Sequence, residues 1–188
     1  VRKSVAPGFD ANIRLIPNYE EWYQGHIDLE PGYLYIDCDR SITGYFATVF
    51  HKDNNIIVVT GAKKGESVKA YFAKYVQFLK EKQGLTIDKT VKSSGCILHD
   101  MSATNNYLLG KGNVLLAGEA GGFNRCAEGI TAALITGWAA GESVLKSIGT
   151  GVQAHDLYLA AAASEMEACN RASAKIESLV GVNPFTRA

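Results

Sequence analysis

The sequence predicts an α+β fold in which an antiparallel β-sheet with a packed helix is followed by a strand, a glycine-rich loop, a helix and a C-terminal helix. Three observations predict it. Aromatic and β-branched runs fill the first half, an amphipathic stretch follows them, and the chain becomes rich in Gly and Ala after residue 110. With 188 residues, of which 47% are hydrophobic and 20% charged, the chain has the size and composition of a globular domain.

The first predicted element is a β-hairpin. Residues 33–37 and 43–51 are rich in aromatic and β-branched side chains. The segment 52–55, with the sequence Lys-Asp-Asn-Asn, then leads into a second apolar run that starts at Ile56. Two β-rich runs separated by a short Asp/Asn turn predict an antiparallel pair of strands.

A helix is predicted next, over residues 66–82. Five apolar residues share one stripe at helical spacing: Val68, Phe72, Tyr75, Val76 and Leu79. Most of the lysines lie off this stripe, so the helix is amphipathic and packs on the sheet, and Gly84 ends it. A further strand is predicted over residues 90–98.

The second half begins with a short apolar run, NVLLAG, over residues 113–118, which is typical of a buried strand. The glycine-rich segment 118–129 follows it. An Ala- and Gly-rich helix is then predicted over residues 130–147, and Gly149 and Gly151 are expected to break it.

A last helix, rich in Ala, is predicted over residues 153–180. These elements predict three parts of the chain. A sheet domain spans residues 1–110, a strand–loop–helix segment spans 111–148, and the C-terminal helix lies within 149–188.

Charge and cysteine content exclude several classes of function. Nineteen Lys and Arg residues balance nineteen Asp and Glu residues, so we expect no general electrostatic binding to nucleic acid or to an anionic membrane. The apolar run from Gly129 ends at Glu142, which is too short to span a bilayer and allows at most peripheral contact. The four cysteines lie far apart, without metal-binding spacing, so we expect no metal site and a reducing, cytoplasmic location.

A strand, a glycine-rich corner and a helix form a recurring arrangement for holding a phosphate, because amide groups and the positive helix end point at the anion. Here the helix places Gly129, Ala133, Gly137 and Gly141 at successive i+4 positions, so one stripe lacks bulky side chains. Gly137 and Gly141 each cost roughly 1 kcal/mol relative to Ala inside a helix. Spacing alone leaves two interpretations open: a closely packed neighbouring element, or a flat ligand against the stripe.

Residues 115–144, LLAGEAGGFNRCAEGITAALITGWAAGESV, carry a more specific pattern. They resemble the second flavin-binding segment of the FAD-dependent oxidoreductases of the p-hydroxybenzoate hydroxylase superfamily, especially its geranylgeranyl reductase-like branch. That segment runs Gly-Asp, small residues, a short loop, Gly-(Glu)-Gly-Ile and a small-residue helix. The matching residues are Gly118, Ala120, Gly122, Phe123, Glu128, Gly129, Ile130, Ala133, Gly137 and Ala140. Glu119 departs from it, since the family usually has Asp there.

The resemblance extends upstream more weakly. Residues 44–62 are similar to the substrate-domain hairpin of the family, although Phe50-His51 stands where Phe-Pro is expected. Residues 1–5, VRKSV, are similar to the end of its internal Gly-Asp-Gly segment. The chain thus resembles only the C-terminal portion of the family, and the GxGxxG turn that holds the ADP half of FAD is not found in it. A missing N-terminal dinucleotide-binding half is the partner that this resemblance implies.

The resemblance implies FAD as the cofactor, with NAD(P)H or another reductant as electron donor. It implies the following cofactor-binding residues: Gly118, Glu119, Ala120, Gly121, Gly122, Glu128, Gly129 and Ile130. In this family the residue at position 119 bonds a ribityl hydroxyl, and the amides just after it meet the pyrophosphate. Gly129 and Ile130 begin the helix whose positive end faces the flavin, and Arg125 could supplement that charge.

The expected substrate is a small apolar compound of the isoprenoid or lipid class. The side chains proposed to line its pocket are Tyr33, Tyr35, Tyr45, Phe46 and Cys126. Aromatic residues on strands are as readily explained by core packing. The sequence identifies no side chain as an acid, a base or a nucleophile, and the resemblance implies that the flavin would carry the hydride chemistry.

Reduction of a carbon–carbon double bond is the activity we expect, and hydroxylation by a flavin monooxygenase fits the same motif. A non-catalytic ligand-binding fragment is a further alternative. The segment VLLAGEAGG also resembles a strand followed by a loop that binds S-adenosylmethionine. A methyltransferase would need several more strands after Gly122, where only helices are predicted.

Overall fold

The computed structural model describes residues 2–9, 13–125 and 129–179. Two compact units divide it. The sheet unit holds Leu15–Leu98, and the helical unit holds Val1–Arg14 together with His99–Glu177. The predicted α+β class is confirmed, whereas the predicted division into residues 1–110, 111–148 and 149–188 stays a prediction.

The sheet contains five antiparallel strands. They are β1 (Arg14–His26), β2 (Leu34–Asp37), β3 (Phe46–Lys52), β4 (Asn55–Gly61) and β5 (Thr86–Asp100), in the spatial order β2-β3-β4-β1-β5. The predicted hairpin is β3–β4, with Val49 opposite Val58. Asp53 and Asn54 form its turn with φ of 50° and 58°, a left-handed conformation that Asp and Asn tolerate.

The predicted amphipathic helix is α2 (Val68–Lys82), which begins two residues later than expected because Ser67 caps it. The Ser67 side chain accepts a hydrogen bond from the Ala70 amide at 3.3 Å. The buried residues of α2 are Phe72, Tyr75 and Leu79, and they share one apolar core with strand residues of the sheet. The stripe read from the sequence is therefore the face that packs.

The strand β1 was not predicted, because its sequence carries Pro17 and the adjacent charges of Glu20 and Glu21. The structure shows how one of these charges is accommodated. The hydroxyls of Tyr19 and Tyr23 both donate to the Glu21 carboxylate at 2.7 Å. Hydrogen bonds from two neighbours on the same face make a carboxylate compatible with a half-buried strand.

The helical unit starts with α1 (Arg2–Val5) and a small hairpin of β6 (Gly110–Lys111) and β7 (Val114–Leu115). The strand predicted over residues 113–118 is present as β7, but it is shorter and less buried than expected. Only two of these residues are in a strand, and Val114 is 44% exposed. Gly112, with φ of 58°, turns the chain into this tight hairpin, and a helical turn already begins at Gly118.

Three helices follow: α3 (Gly118–Gly121), α4 (Gly129–Thr150) and α5 (Ala154–Leu179). The helix α4 runs past Gly149, so the predicted break there is wrong, and the chain leaves the helix at Gly151, which has φ of 73°. None of the described helices combines the length and apolarity that crossing a bilayer requires.

Candidate functional site

The chain bends sharply after Leu116, and the two long helices of the helical unit hold the bend. The Thr136 hydroxyl in α4 accepts a hydrogen bond from the Gly118 amide at 2.8 Å. The Tyr158 hydroxyl in α5 donates to the Leu116 carbonyl at 2.9 Å. Burial raises the pKa of Tyr158 to about 12, so this phenol stays protonated and keeps donating.

The glycines of the corner are required by close packing. Gly118 has φ of 56°, and a Cβ added to it would lie 2.9 Å from the Cβ of Ala133. A Cβ on Gly121 would lie 2.6 Å from the Leu116 carbonyl oxygen. Gly122 has φ of 97° and ends α3. The sequence left open whether the small-residue stripe packs against a neighbouring element or against a flat ligand. At Ala133 it packs against a neighbouring element, because Gly118 lies next to it.

Two amide groups of the corner have a different role. The first turn of any α-helix leaves its N–H groups without intrahelical acceptors. The Gly118 amide of α3 is bonded to Thr136, and the amides of Glu119 and Ala120 follow it in the same first turn, where no intrahelical acceptor is available to them. Glu119 is exposed and Ala120 is half-buried. Consecutive first-turn amides suit a phosphate oxygen. The resemblance assigns the pyrophosphate to the amides just after position 119, of which Ala120 provides the first.

Arg2 adds a fixed positive charge at the same corner. Its guanidinium donates to the Glu119 carbonyl at 3.0 Å, across 117 residues of sequence. Arginine is suited to this position because its five donors can bind a carbonyl and an anion together. Arg2 was not predicted from the sequence as a site residue, although the family resemblance of residues 1–5 was a signal that pointed to it.

The start of α4 is the second part of the candidate site. Gly129 is half-buried and Ile130 is 79% exposed, so the first turn of this 22-residue helix is open on one side. Within the described ranges, the Asn124 side-chain oxygen is buried without a hydrogen-bond partner. A ligand donor could satisfy this atom. The predicted residues Cys126 and Glu128 lie outside the described residues.

The outer face of α4 carries a large apolar surface. It is formed by Ile130, Leu134, Ile135, Trp138, Val144, Leu145 and Ile148, all exposed. Next to Trp138 lies a groove of about 470 Å³, lined by residues that include Gly137 and Gly141. A Cβ added at either glycine would meet nothing within 4 Å in the described structure. Contiguous exposed apolar surfaces are typical of interaction sites.

The four aromatic residues predicted to line a substrate pocket form two separate pairs. The rings of Tyr33 and Tyr35 lie 6.3 Å apart, and those of Tyr45 and Phe46 lie 5.8 Å apart. Tyr45 is buried, whereas Tyr33 is 61% exposed. A cavity of about 130 Å³ lies beside Tyr35, which is smaller than the roughly 300 Å³ of an ordinary ligand pocket. Their role in substrate binding stays a prediction.

Comparison with known proteins identifies the fold. No protein-family model and no curated protein matches the sequence. A geranylgeranyl bacteriochlorophyll reductase-like protein from Thermoplasma acidophilum matches the structure with a TM-score of 0.71 at 14% identity, over 92% of this chain and 45% of that one. The p-nitrophenol 4-monooxygenase PnpA from Pseudomonas putida matches with a TM-score of 0.58 at 14% identity, over 93% of this chain and 46% of that one.

The chain therefore shares its fold with these two proteins. At 14% identity the likeness concerns the fold alone, and the chain spans less than half the length of either matched structure. The two matched proteins are a reductase-like protein and a monooxygenase, which are the two kinds of enzyme that the family resemblance implies.

Proposed function

We propose that this chain is the substrate-side and second cofactor-contact portion of an FAD-dependent oxidoreductase. The observation that carries the proposal is the corner of α3, where the Glu119 and Ala120 amides stand in the first helical turn and Arg2 binds the Glu119 carbonyl. Two amides and a cation suit a pyrophosphate, and they occur in a fold shared with a reductase-like protein and a monooxygenase.

FAD, when bound, would supply the hydride chemistry. The residues of this chain would hold and orient it. The amides of Glu119 and Ala120, with Arg2, would bind the pyrophosphate, and the Glu119 carboxylate would accept a hydrogen bond from a ribityl hydroxyl. Gly121 and Gly122 would shape the turn that carries these groups. The N-terminus of α4, at Gly129, would present its partial positive charge to the flavin ring and favour a reduced, anionic ring.

The apolar outer face of α4 would be covered by the missing dinucleotide-binding half. The lengths of the matched structures support this assignment, since more than half of each lies outside the region that this chain covers. The small residues Gly137 and Gly141 allow a facing helix or strand to approach closely. The half would supply the GxGxxG turn and the ADP site, and its sequence would be encoded upstream of Val1.

The reaction we propose is reduction of a carbon–carbon double bond in an apolar, isoprenoid- or lipid-like substrate, with NAD(P)H or another reductant as electron donor. The fold match to the reductase-like protein supports this choice, since its TM-score of 0.71 exceeds the 0.58 of the monooxygenase. Hydroxylation is the second candidate, which the match to PnpA favours. The products separate the two reactions, because a reductase gives a saturated bond and a monooxygenase adds a hydroxyl group.

The experiment that tests cofactor binding compares two substitutions of Ala120 in the chain assembled with its upstream half. Ala120→Pro removes the backbone N–H at a helix position where proline is tolerated, whereas Ala120→Ser keeps it. On titration with FAD we expect flavin absorbance and quenched fluorescence for the wild type and for A120S, and about tenfold weaker binding for A120P. Failure of the wild type to bind FAD, or equal affinities of A120P and A120S, would contradict the proposal.

A further inference from the structure

The helical unit contains a buried ion pair that the proposed mechanism does not use. Glu165, in the middle of α5, is 3% exposed. The Arg125 guanidinium binds its carboxylate with both arms, Nε to Oε1 at 2.7 Å and Nη2 to Oε2 at 2.5 Å. A bidentate pair of this type fixes both the distance and the orientation of the two groups.

The surroundings of Glu165 hold its carboxylate in place. One turn further along α5, the Cys169 thiol lies with its Sγ 3.6 Å from Oε1 of Glu165. Cys169 is fully buried, and burial, reinforced by Glu165, raises the pKa of its thiol to about 12, so that it stays a neutral donor. Glu165 is thus a buried carboxylate on α5, with Arg125 as its counter-ion.

The ion pair with Glu165 holds Arg125 in place. Arg125 is the last described residue before α4, which starts at Gly129. The preceding residue is fastened from another direction, because the Ser102 hydroxyl donates to the Asn124 carbonyl at 3.3 Å. The Ser102 hydroxyl shares its single proton with the Asp100 carboxylate, whose Oδ1 lies nearer, at 2.9 Å. Two adjacent residues are therefore anchored to different parts of the helical unit just before the chain enters α4.

We infer that Glu165 is a positioning residue. Through Arg125 it holds the chain that follows α3, and so it sets where the N-terminus of α4 lies relative to the Glu119 and Ala120 amides. A cofactor that spans both places needs this distance to be constant, because preorganised groups bind without a cost of ordering. The role of Glu165 in cofactor binding rests on the proposed function. Its effect on the position of Arg125 can be measured without any cofactor.

Amide hydrogen exchange tests whether Glu165 holds the segment around Arg125 in place, with a matched control on the same helix. Glu165→Gln removes the charge and one acceptor, whereas Glu167→Gln changes a carboxylate that is 74% exposed and pairs only with Arg171 among the described residues at 3.5 Å. We expect E165Q to raise amide exchange in peptides that cover residues 119–131 by about tenfold, with exchange in α2 unchanged. Unchanged exchange in that segment, or an equal rise in E167Q, would overturn the inference.

A double variant tests the same inference if the E165Q protein does not fold. Arg125→Leu combined with Glu165→Leu replaces the pair with apolar side chains and leaves no unpaired buried charge. If the pair positions the segment, the double variant regains a wild-type unfolding temperature but still binds FAD about tenfold more weakly in the assembled protein. Wild-type FAD affinity in a stable double variant would show that the pair serves stability alone.

The two proposals fail separately. A wild-type assembled protein that does not bind FAD would refute the proposed function, while the exchange comparison of E165Q with E167Q would still decide whether Glu165 fastens the segment. An assembled protein in which E165Q and the double variant both bind FAD like the wild type would refute the positioning role and leave the proposed function standing.

Discussion

The Thr136 hydroxyl accepts a hydrogen bond from the Gly118 amide at 2.8 Å and donates its own proton to the Ala132 carbonyl at 2.6 Å. One side chain thereby joins the glycine corner to the interior of α4. The Gly118 amide is consequently part of the internal structure, and the amides of Glu119 and Ala120 follow it in the first turn of α3. Several properties of the chain depend on this connection.

Substitution of Thr136 with Val should lower the free energy of unfolding by about 1–3 kcal/mol, because it leaves the Gly118 amide buried without an acceptor. Thr150→Val is the matched control. Thr150 also lies in α4 and donates to a carbonyl four residues back, but it is exposed, so water replaces the lost bond and the change stays within about 0.5 kcal/mol. Urea unfolding measures both values, and equal losses would mean that the bond to Gly118 contributes nothing.

Two glycine-to-alanine substitutions should change stability in opposite directions. Gly118→Ala should destabilise the chain by about 1–2 kcal/mol, because its backbone is left-handed and the new Cβ lies close to Ala133. Gly137→Ala should stabilise the isolated chain by about 1 kcal/mol, since the new methyl group meets nothing and Ala is the better helix former. Chemical unfolding of the two variants checks this, and a shift of the same sign in both would contradict the packing described.

The apolar face of α4 should be needed for assembly rather than for the stability of the chain. Trp138→Glu should abolish co-purification with the upstream half, because it places a charge in a buried apolar contact. The unfolding temperature of the isolated chain should change little, since Trp138 is 75% exposed. Tyr33→Glu, at another exposed aromatic residue, is the control and should leave assembly intact. Normal assembly of W138E would show that the half docks elsewhere.

Alkaline pH should destabilise the chain in part through Cys169. The pKa of this thiol is about 12 in the folded chain, against roughly 8.5 for a thiol exposed by unfolding. The folded state holds the proton more tightly, so the contribution of Cys169 to stability is complete below about pH 8.5 and declines as the pH rises towards 12. Cys169→Ala should therefore flatten the pH dependence of unfolding between about pH 8 and about pH 10.5. Cys96→Ala, at an exposed thiol, should leave it unchanged, and equal slopes for wild type and C169A would contradict the shift.

The elements with a strong periodic pattern could be predicted from the sequence. The stripe of Phe72, Tyr75 and Leu79 indicated the buried face of α2, and the Asp53–Asn54 turn indicated the β3–β4 hairpin. The strand β1 could not be predicted this way, because the charge of Glu21 is compatible with a strand only through the hydroxyls of Tyr19 and Tyr23. The hydrogen bonds from these two hydroxyls depend on where the side chains lie in the folded chain, which the sequence alone does not show.

The candidate site shows the same limit. The glycine pattern located the corner, yet it did not indicate that Gly118 packs against Ala133 while Gly137 faces open space. Arg2 and Glu165 reach their partners across 117 and 40 residues of sequence. Contacts at that separation depend on the tertiary fold, and no local spacing rule identifies them.

The most direct test of the account is a measurement on the amides of Glu119 and Ala120 themselves. The chain is labelled with nitrogen-15, assembled with its upstream half, and titrated with FAD while the amide resonances are followed. The account predicts saturable shifts that are largest for Glu119 and Ala120 and small for the Gly118 amide, which Thr136 already occupies. Saturable FAD binding that leaves the resonances of Glu119 and Ala120 in place would contradict it.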